Sequence, residues 1–153
     1  IARKIYEYAS QGLSFHEVVE KVEAYITTQR TYFVLETLEV LKRNGRLSKV
    51  SATLASALNI KPVMEGTGDG AIQKLTQARG TKKALSKMIE AIVKEGRDLS
   101  ERVLAIAHCN CPKRAEYVKD LIMKNLTVGE IIIIETKVSA AYMHVTEESF
   151  YPI

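Results

Sequence analysis

Two short apolar runs limit the folds open to this chain more than any other feature of its sequence. They are residues 103–107 (VLAIA) and 131–134 (IIII). Runs of this length suit buried strands and are far short of the roughly 18 apolar residues that a membrane-spanning helix needs. Pro112 opens the segment between them, and proline favours the first position of a helix. The sequence therefore predicts strands over residues 102–108 and 130–135, with a helix from residue 112 to about 126 between them.

The remaining segments predict further helices and one hairpin. Ser14 and Glu17 have the spacing of a capping box at the start of a helix. Three glycines between residues 66 and 70 predict a tight turn between strands over residues 61–65 and 71–78. Thr81 is predicted to cap a helix that ends near residue 95. Further helices are predicted over residues 2–10, 38–43 and 49–58, and further strands over residues 31–35 and 140–145.

This order of elements predicts an α/β (α+β) fold. We expect a mixed sheet of about five to six strands, covered by helices, with an antiparallel portion at the hairpin. Residues 1–30 are expected to be a helical segment that links from a missing N-terminal domain, and residues 31–153 to form the domain itself. The first residue is Ile1 and not Met, which also predicts further sequence upstream.

The composition argues against several classes of function. The 22 Lys and Arg residues exceed the 18 Asp and Glu residues by only four, and they lie beside acidic residues along the predicted helices. We therefore expect no nucleic-acid binding, which needs a concentrated basic stripe. We also expect no membrane span. Cys109 and Cys111 are close in sequence and no signal peptide is visible, which together predict a reducing, cytoplasmic location.

No motif in the sequence names a reaction. Nucleophile elbows, phosphate-binding loops and dinucleotide fingerprints are all missing from the 153 residues. His108, Cys109 and Cys111 are too few ligands for a closed zinc site, and no second cluster adds to them. We predict no catalytic residue, no metal and no cofactor, and hence a protein that is not an enzyme.

Three stretches, in order along the chain, resemble the second half of the DegV family of bacterial lipid-binding proteins. That family has a Leu-x-x-Leu-Lys-x-Gly-Gly-Arg-Ile stretch, then Leu-Asn-Ile-Lys-Pro, then Arg-Gly-x-x-Lys-Ala. The stretches here are residues 33–48 (FVLETLEVLKRNGRLS), 57–63 (ALNIKPV) and 78–84 (ARGTKKA). The resemblance implies a two-domain protein that encloses a long-chain fatty acid, with this chain as the C-terminal lipid-binding domain. It also implies that the fatty acid is presented to a separate fatty acid kinase.

The resemblance assigns roles to individual residues. Leu54, Leu58 and Ile60 are expected to line the acyl pocket, beside a predicted helix rich in small residues. His144 matches a histidine that helps to bind the carboxylate, although the Gly-Pro-Gly that follows it in the family is replaced here by residues 145–148 (VTEE).

Two arginines match positions that the family is thought to use for contact with the kinase. Arg46 corresponds to the Gly-Gly-Arg arginine and Arg79 to the Arg-Gly arginine. A guanidinium group holds phosphate or carboxylate with two parallel hydrogen bonds, which suits partner or anion binding.

Two other functions stay open on the sequence alone. The chain could share an active site with the N-terminal domain, or it could be a regulatory or nucleic-acid-binding module. Because half of a lipid pocket leaves apolar surface in water, the lipid-binding hypothesis predicts an exposed apolar face. The missing domain or self-association would cover that face.

Overall fold

A computed structural model gives the fold and describes residues 1–36, 59–68 and 70–136. The chain divides into two compact units, Ile1–Arg30 and Thr31–Ile153. The predicted elements over residues 38–43, 49–58 and 140–145 lie outside the described residues.

The first unit is a pair of helices, α1 (Ala2–Ser10) and α2 (Phe15–Thr27). The predicted capping box is present: the Ser14 hydroxyl accepts from the Glu17 amide, and the Glu17 carboxylate accepts from the Ser14 amide at 2.8 Å. The apolar side of α2 buries Val22 and leaves other members of the same row exposed. These are Phe15, Val19 and Ile26.

The second unit begins with a three-stranded antiparallel sheet. It contains β1 (Thr31–Val34), β2 (Ile60–Gly66) and β3 (Ile72–Arg79), in the spatial order β1-β2-β3. Strands β2 and β3 form the predicted hairpin. In the register of β1 with β2, Phe33 lies opposite Met64 and Val34 opposite Val63. Because side chains alternate along a strand, these two pairs point to opposite faces of the sheet.

The rest of the second unit alternates helices and strands. Helix α3 (Thr81–Lys94) leads to β4 (Leu99–His108), and α4 (Pro112–Asn125) leads to β5 (Val128–Glu135). Strands β4 and β5 pair in parallel, with Ile106 opposite Ile133. Proline begins α4 as predicted, and both apolar runs of the sequence form strands.

One core joins the two sheets to the two helices. The first face of each sheet, defined here as the face that packs against α3 and α4, contributes to this single cluster. Its buried members are Val34, Val63, Ala84, Leu85, Met88, Ile89, Ile106, Ala115, Val118 and Ile122. Burial of these apolar side chains is the main term that stabilises the unit.

The predicted α/β class is confirmed, but the arrangement of the strands differs from the expectation. The described residues contain five strands in two sheets, where one mixed sheet was expected. Apolar patterning shows that a strand is buried, but it does not show which strand it pairs with. Helix α3 also differs at its start. Gly80 is the N-cap residue and makes no side-chain bond, whereas Thr81 belongs to the first turn of the helix.

Candidate functional site

The second face of the antiparallel sheet, on the side away from α3 and α4, carries its own apolar cluster. Phe33, Leu35 and Met64 are buried there, and partly buried Ile72 packs against them. The alternation of side chains along β2 puts the predicted pocket residue Ile60 on the same face as Met64, and Ile60 is partly exposed. This sheet therefore has two apolar faces: α3 packs against the first, and Phe33, Leu35 and Met64 are buried on the second.

The second face of the β4–β5 sheet is also apolar. Ile131 and Ile133 point into the principal core, so the intervening Ile132 and Ile134 point the other way. They pair with Ala105 and Ala107 across the ladder. Ile134 is 41% exposed. Both sheets thus carry apolar side chains on the side away from α3 and α4, and Ile134 is the one exposed large side chain among these residues.

A compact ion cluster joins residues from the three stretches that resemble the DegV family, which are residues 33–48, 57–63 and 78–84. The Glu36 carboxylate is 2.5 Å from the Lys61 ammonium and 2.7 Å from Nη1 of Arg114. The Thr81 hydroxyl donates to the same carboxylate at 3.0 Å, and Lys61 also donates to the Glu36 carbonyl at 2.9 Å. The side chain of Glu36 is only 12% exposed. One carboxylate therefore ties β2 to the first turns of α3 and α4.

The environment of Glu36 favours its charged form. Burial acts to raise the pKa of this carboxyl group, but hydrogen bonds from Lys61 and Thr81 and the charges of Lys61 and Arg114 outweigh it. The net result is a pKa below the ordinary value of 4.5. A charge-assisted network of this kind rigidifies the elements that it joins.

The lowered pKa predicts an acid-dependent loss of stability. Because Glu36 binds its proton less tightly in the folded protein, the stabilisation is complete above about pH 4.5 and is lost as the pH falls through the lowered pKa. We expect the free energy of unfolding, measured with urea between pH 3 and 7, to fall below pH 4.5. The Glu36→Gln variant should lack this component, and an equal fall in both proteins would contradict the assignment.

The structure describes two of the six residues that were predicted as binding residues. Ile60 begins β2, and Arg79 ends β3 directly opposite it. Arg79 is exposed, and the amide of the following Gly80 donates to the Asn59 carbonyl at 2.9 Å. Lys61 shares β2 with Ile60. The other four residues lie outside the described part of the chain: Arg46, Leu54, Leu58 and His144.

Sequence reasoning missed the ion cluster itself. Glu36, Lys61 and Thr81 each belong to one of the three quoted stretches, yet no role was assigned to the first two, and Thr81 was predicted as a cap. Arg114 lies in none of them and is 78 residues away from Glu36. The available signal was the presence of ionisable or hydroxyl residues in each stretch, but the choice of partners among them depends on the fold.

His108 ends β4, and Cys111 is the N-cap residue of α4. Burial raises the pKa of the Cys111 thiol, which disfavours the nucleophilic thiolate. His108 is 5% exposed, and its Nδ1 accepts from the Cys111 amide at 3.4 Å. Within residues 1–36, 59–68 and 70–136, no group of three His, Cys, Asp or Glu residues could hold a metal ion. None of the helices described is long and apolar enough to cross a membrane.

A family model described as "Uncharacterised protein, DegV family" matches residues 1–149. The chain belongs to the DegV family. A DegV domain-containing protein of Streptococcus pyogenes serotype M3 is 42% identical over 111 residues, which are 72% of this chain and 39% of that protein. The match thus covers less than half the length of this curated relative.

Two solved DegV-family structures share the fold and contain fatty acids. The protein from Ruminococcus gnavus, refined with vaccenic acid, is 44% identical with a TM-score of 0.82; the match covers 88% of this chain and 48% of that one. The Streptococcus pneumoniae Fatty Acid Kinase (Fak) B3 protein, loaded with linoleic acid, is 33% identical with a TM-score of 0.76. That match covers 88% of this chain and 47% of the other.

Proposed function

We propose that this chain is part of a long-chain fatty-acid-binding protein and that it lines the acyl pocket without catalysing a reaction. The observation that carries the proposal is the apolar second face of both sheets, with Ile60, Ile132 and Ile134 on it. A hydrocarbon tail gains about 0.8 kcal/mol for each methylene that it buries against such a surface. DegV-family relatives at 44% and 33% identity hold fatty acids, which supports the same cargo here.

The pocket residues beyond the described part of the chain belong to the same proposal. We assign Leu54 and Leu58 to the acyl wall together with Ile60. We assign His144 to the carboxylate of the fatty acid, because a ring nitrogen can donate to a carboxylate oxygen. The two free cysteines, Cys109 and Cys111, agree with a cytoplasmic location.

Residues 1–30 are proposed to join an N-terminal domain to the lipid-binding domain at residues 31–153. The exposed row of apolar side chains on α2 supports this, because such a row is unfavourable in water. The relatives are about twice as long as this chain, so their additional sequence is long enough to form a second domain. A second copy of the chain is the alternative cover for exposed apolar surface.

Arg46 and Arg79 are proposed to contact a separate fatty acid kinase. Arg79 is exposed at the end of β3, so its guanidinium group is available to a partner. The kinase would carry out the phosphoryl transfer, and this protein would present the fatty acid to it. The similarity of this chain to the Streptococcus pneumoniae Fatty Acid Kinase (Fak) B3 protein supports this assignment.

Mass spectrometry of the denatured protein tests the main proposal. The product of the complete gene, purified from bacteria, should release long-chain fatty acid in a nearly equimolar amount. A protein that is free of fatty acid, and that takes up none when it is added, would rule the proposal out.

A charge placed on the second face should empty the pocket. Ile134→Asp puts a carboxylate against the hydrocarbon tail, and we expect at least about a tenfold loss of bound fatty acid because an unpaired charge is costly in an apolar site. Val93→Asp is the matched control, since Val93 on α3 is also 41% exposed. Equal losses in the two variants would contradict the assignment of the second face to the pocket.

A further inference from the structure

The turn between β4 and α4 carries both cysteines of the sequence. Cys109 follows His108, the last residue of β4, and Cys111 is the N-cap residue of α4, so that only Asn110 separates the two. Both thiols are free and half-buried. Neither cysteine belongs to the ion cluster or to the residues assigned to the acyl pocket, so the binding of fatty acid gives these thiols no chemical role.

The conformation of Asn110 brings the two cysteines close together. Asn110 has a φ of 50°, which confines a residue with a side chain to the small left-handed helical region. Helical dihedral angles of either hand place the two Cα atoms that flank a residue about 5.4 Å apart. A disulfide needs a Cα separation of roughly 4.4–6.8 Å. The backbone of this turn therefore has the spacing that a disulfide between Cys109 and Cys111 requires.

Hydrogen bonds hold both ends of the turn. The His108 carbonyl accepts from the amide and the hydroxyl of Thr136, at 2.7 and 3.0 Å. The Cys111 amide donates to Nδ1 of His108 at 3.4 Å, and the Cys111 carbonyl accepts from amides in the first turn of α4. Burial raises the pKa of the Cys111 thiol, and the effects that oppose it include a hydrogen bond from the Cys109 backbone, which places the Cys111 sulfur beside Cys109. The two thiols are thus neighbours on a turn that is fixed from both sides.

We propose that Cys109 and Cys111 are a reversible oxidation site whose disulfide locks the turn between β4 and α4. The oxidant is a hydroperoxide, and a dithiol reductant restores the two thiols. In the reducing location proposed for this chain, a disulfide is transient and typical of redox-sensing sites. The second thiol matters because it captures the first oxidation product, a sulfenic acid, before further oxidation makes the change irreversible.

The oxidation balances in two steps. The Cys109 sulfur attacks the hydroperoxide, the O–O bond breaks, and the thiol proton passes to the leaving oxygen, which departs as an alcohol or water. The Cys111 sulfur then attacks the sulfenic sulfur of Cys109, the S–S bond forms, and the hydroxyl leaves with the Cys111 proton as water. Burial disfavours the thiolate of Cys111 by raising its pKa, so Cys109 is the thiol that meets the hydroperoxide first.

Peptide mapping by mass spectrometry tests the proposal on the product of the complete gene. Trypsin cleaves after Arg102 and Lys113, so both cysteines fall in one peptide, residues 103–113 (VLAIAHCNCPK), whatever other cysteines the protein contains. After treatment with hydrogen peroxide, this peptide should be lighter than the reduced peptide by two hydrogen atoms and should resist iodoacetamide, and dithiothreitol should reverse both changes. A peptide whose thiols stay free, gain oxygen or bridge to another peptide would overturn the proposal.

Two serine variants test the order of the two steps. Cys111→Ser lacks the second thiol, so its Cys109 should stop at the sulfenic acid, which dimedone labels. Cys109→Ser keeps only the thiol whose thiolate is disfavoured, and we expect it to take up at least about fivefold less dimedone. Serine is a favoured N-cap residue and close to cysteine in size, so both variants should fold. Equal labelling of the two variants would contradict the order assigned to the thiols.

Hydrogen exchange tests whether the disulfide locks the turn. The Ala115 amide donates to the Cys111 carbonyl at 3.2 Å in the first turn of α4. Closing a loop of three residues restricts the open form of the turn, so exchange at Ala115 should slow by roughly tenfold after peroxide treatment. Cys109→Ser/Cys111→Ser is the matched control, and its exchange should not respond to peroxide. Unchanged exchange in the protein that contains the disulfide would overturn the proposed lock.

Discussion

Replacing Glu36 by glutamine should lower the free energy of unfolding by about 2–3 kcal/mol. Removing one partner from a buried ion pair costs about 3–5 kcal/mol because the remaining charge is left uncompensated. Lys61 and Arg114 are 15% and 26% exposed in their side chains, so water recovers part of that cost. Urea unfolding at pH 7, followed by circular dichroism, measures the difference.

An exposed ion pair provides the control for this prediction. Glu90→Gln removes the partner of Lys87, but these side chains are 62% and 50% exposed, and such pairs contribute at most about 0.5 kcal/mol. Glu36→Asp should recover part of the lost stability, because it keeps the charge while shortening the side chain. A Glu36→Gln variant as stable as Glu90→Gln would show that the cluster does not hold β2 and the two helix starts together.

Replacing Leu85 by alanine should lower the free energy of unfolding by about 3 kcal/mol. Leu85 is 1% exposed and lies in the core that joins both sheets to α3 and α4. Loss of a buried leucine side chain costs 2–5 kcal/mol, because the transfer free energy is lost and a cavity remains. The midpoint of urea unfolding measures this effect.

Val93→Ala in the same helix is the matched comparison. Val93 is 41% exposed, so its truncation should change stability by less than about 0.5 kcal/mol. A small effect at Leu85 would mean that α3 is not part of the principal core. A large effect at Val93 would mean that the exposed side of α3 is covered by other protein surface in solution.

Local signals allowed much of the second unit to be predicted. Pro112 began a helix, the glycines at residues 66–70 formed the hairpin turn, and the apolar runs formed β4 and β5. These predictions succeeded because each depends on the conformational preferences of a few consecutive residues. The arrangement of the strands in two sheets did not follow, because it depends on contacts between segments that are distant in sequence.

Thr81 shows where local reasoning gives the wrong answer. A threonine before a helical segment is an ordinary cap, because its hydroxyl can satisfy a free backbone amide. In the folded chain this hydroxyl donates to Glu36, a residue 45 positions earlier, and Gly80 takes the N-cap position with a φ of 79°. As a cap the hydroxyl oxygen would accept from a backbone amide, whereas here the hydroxyl donates to a charged carboxylate, which makes a strong hydrogen bond.

The sequence by itself determined the α/β class, the family and the apolar character of the strands, since all of these are written in residue types and short spacings. Only the tertiary structure decided which residues act together. It brought Lys61, Thr81 and Arg114 around the Glu36 carboxylate. Ion pairing and charge repulsion depend on distance in space, which no linear pattern records.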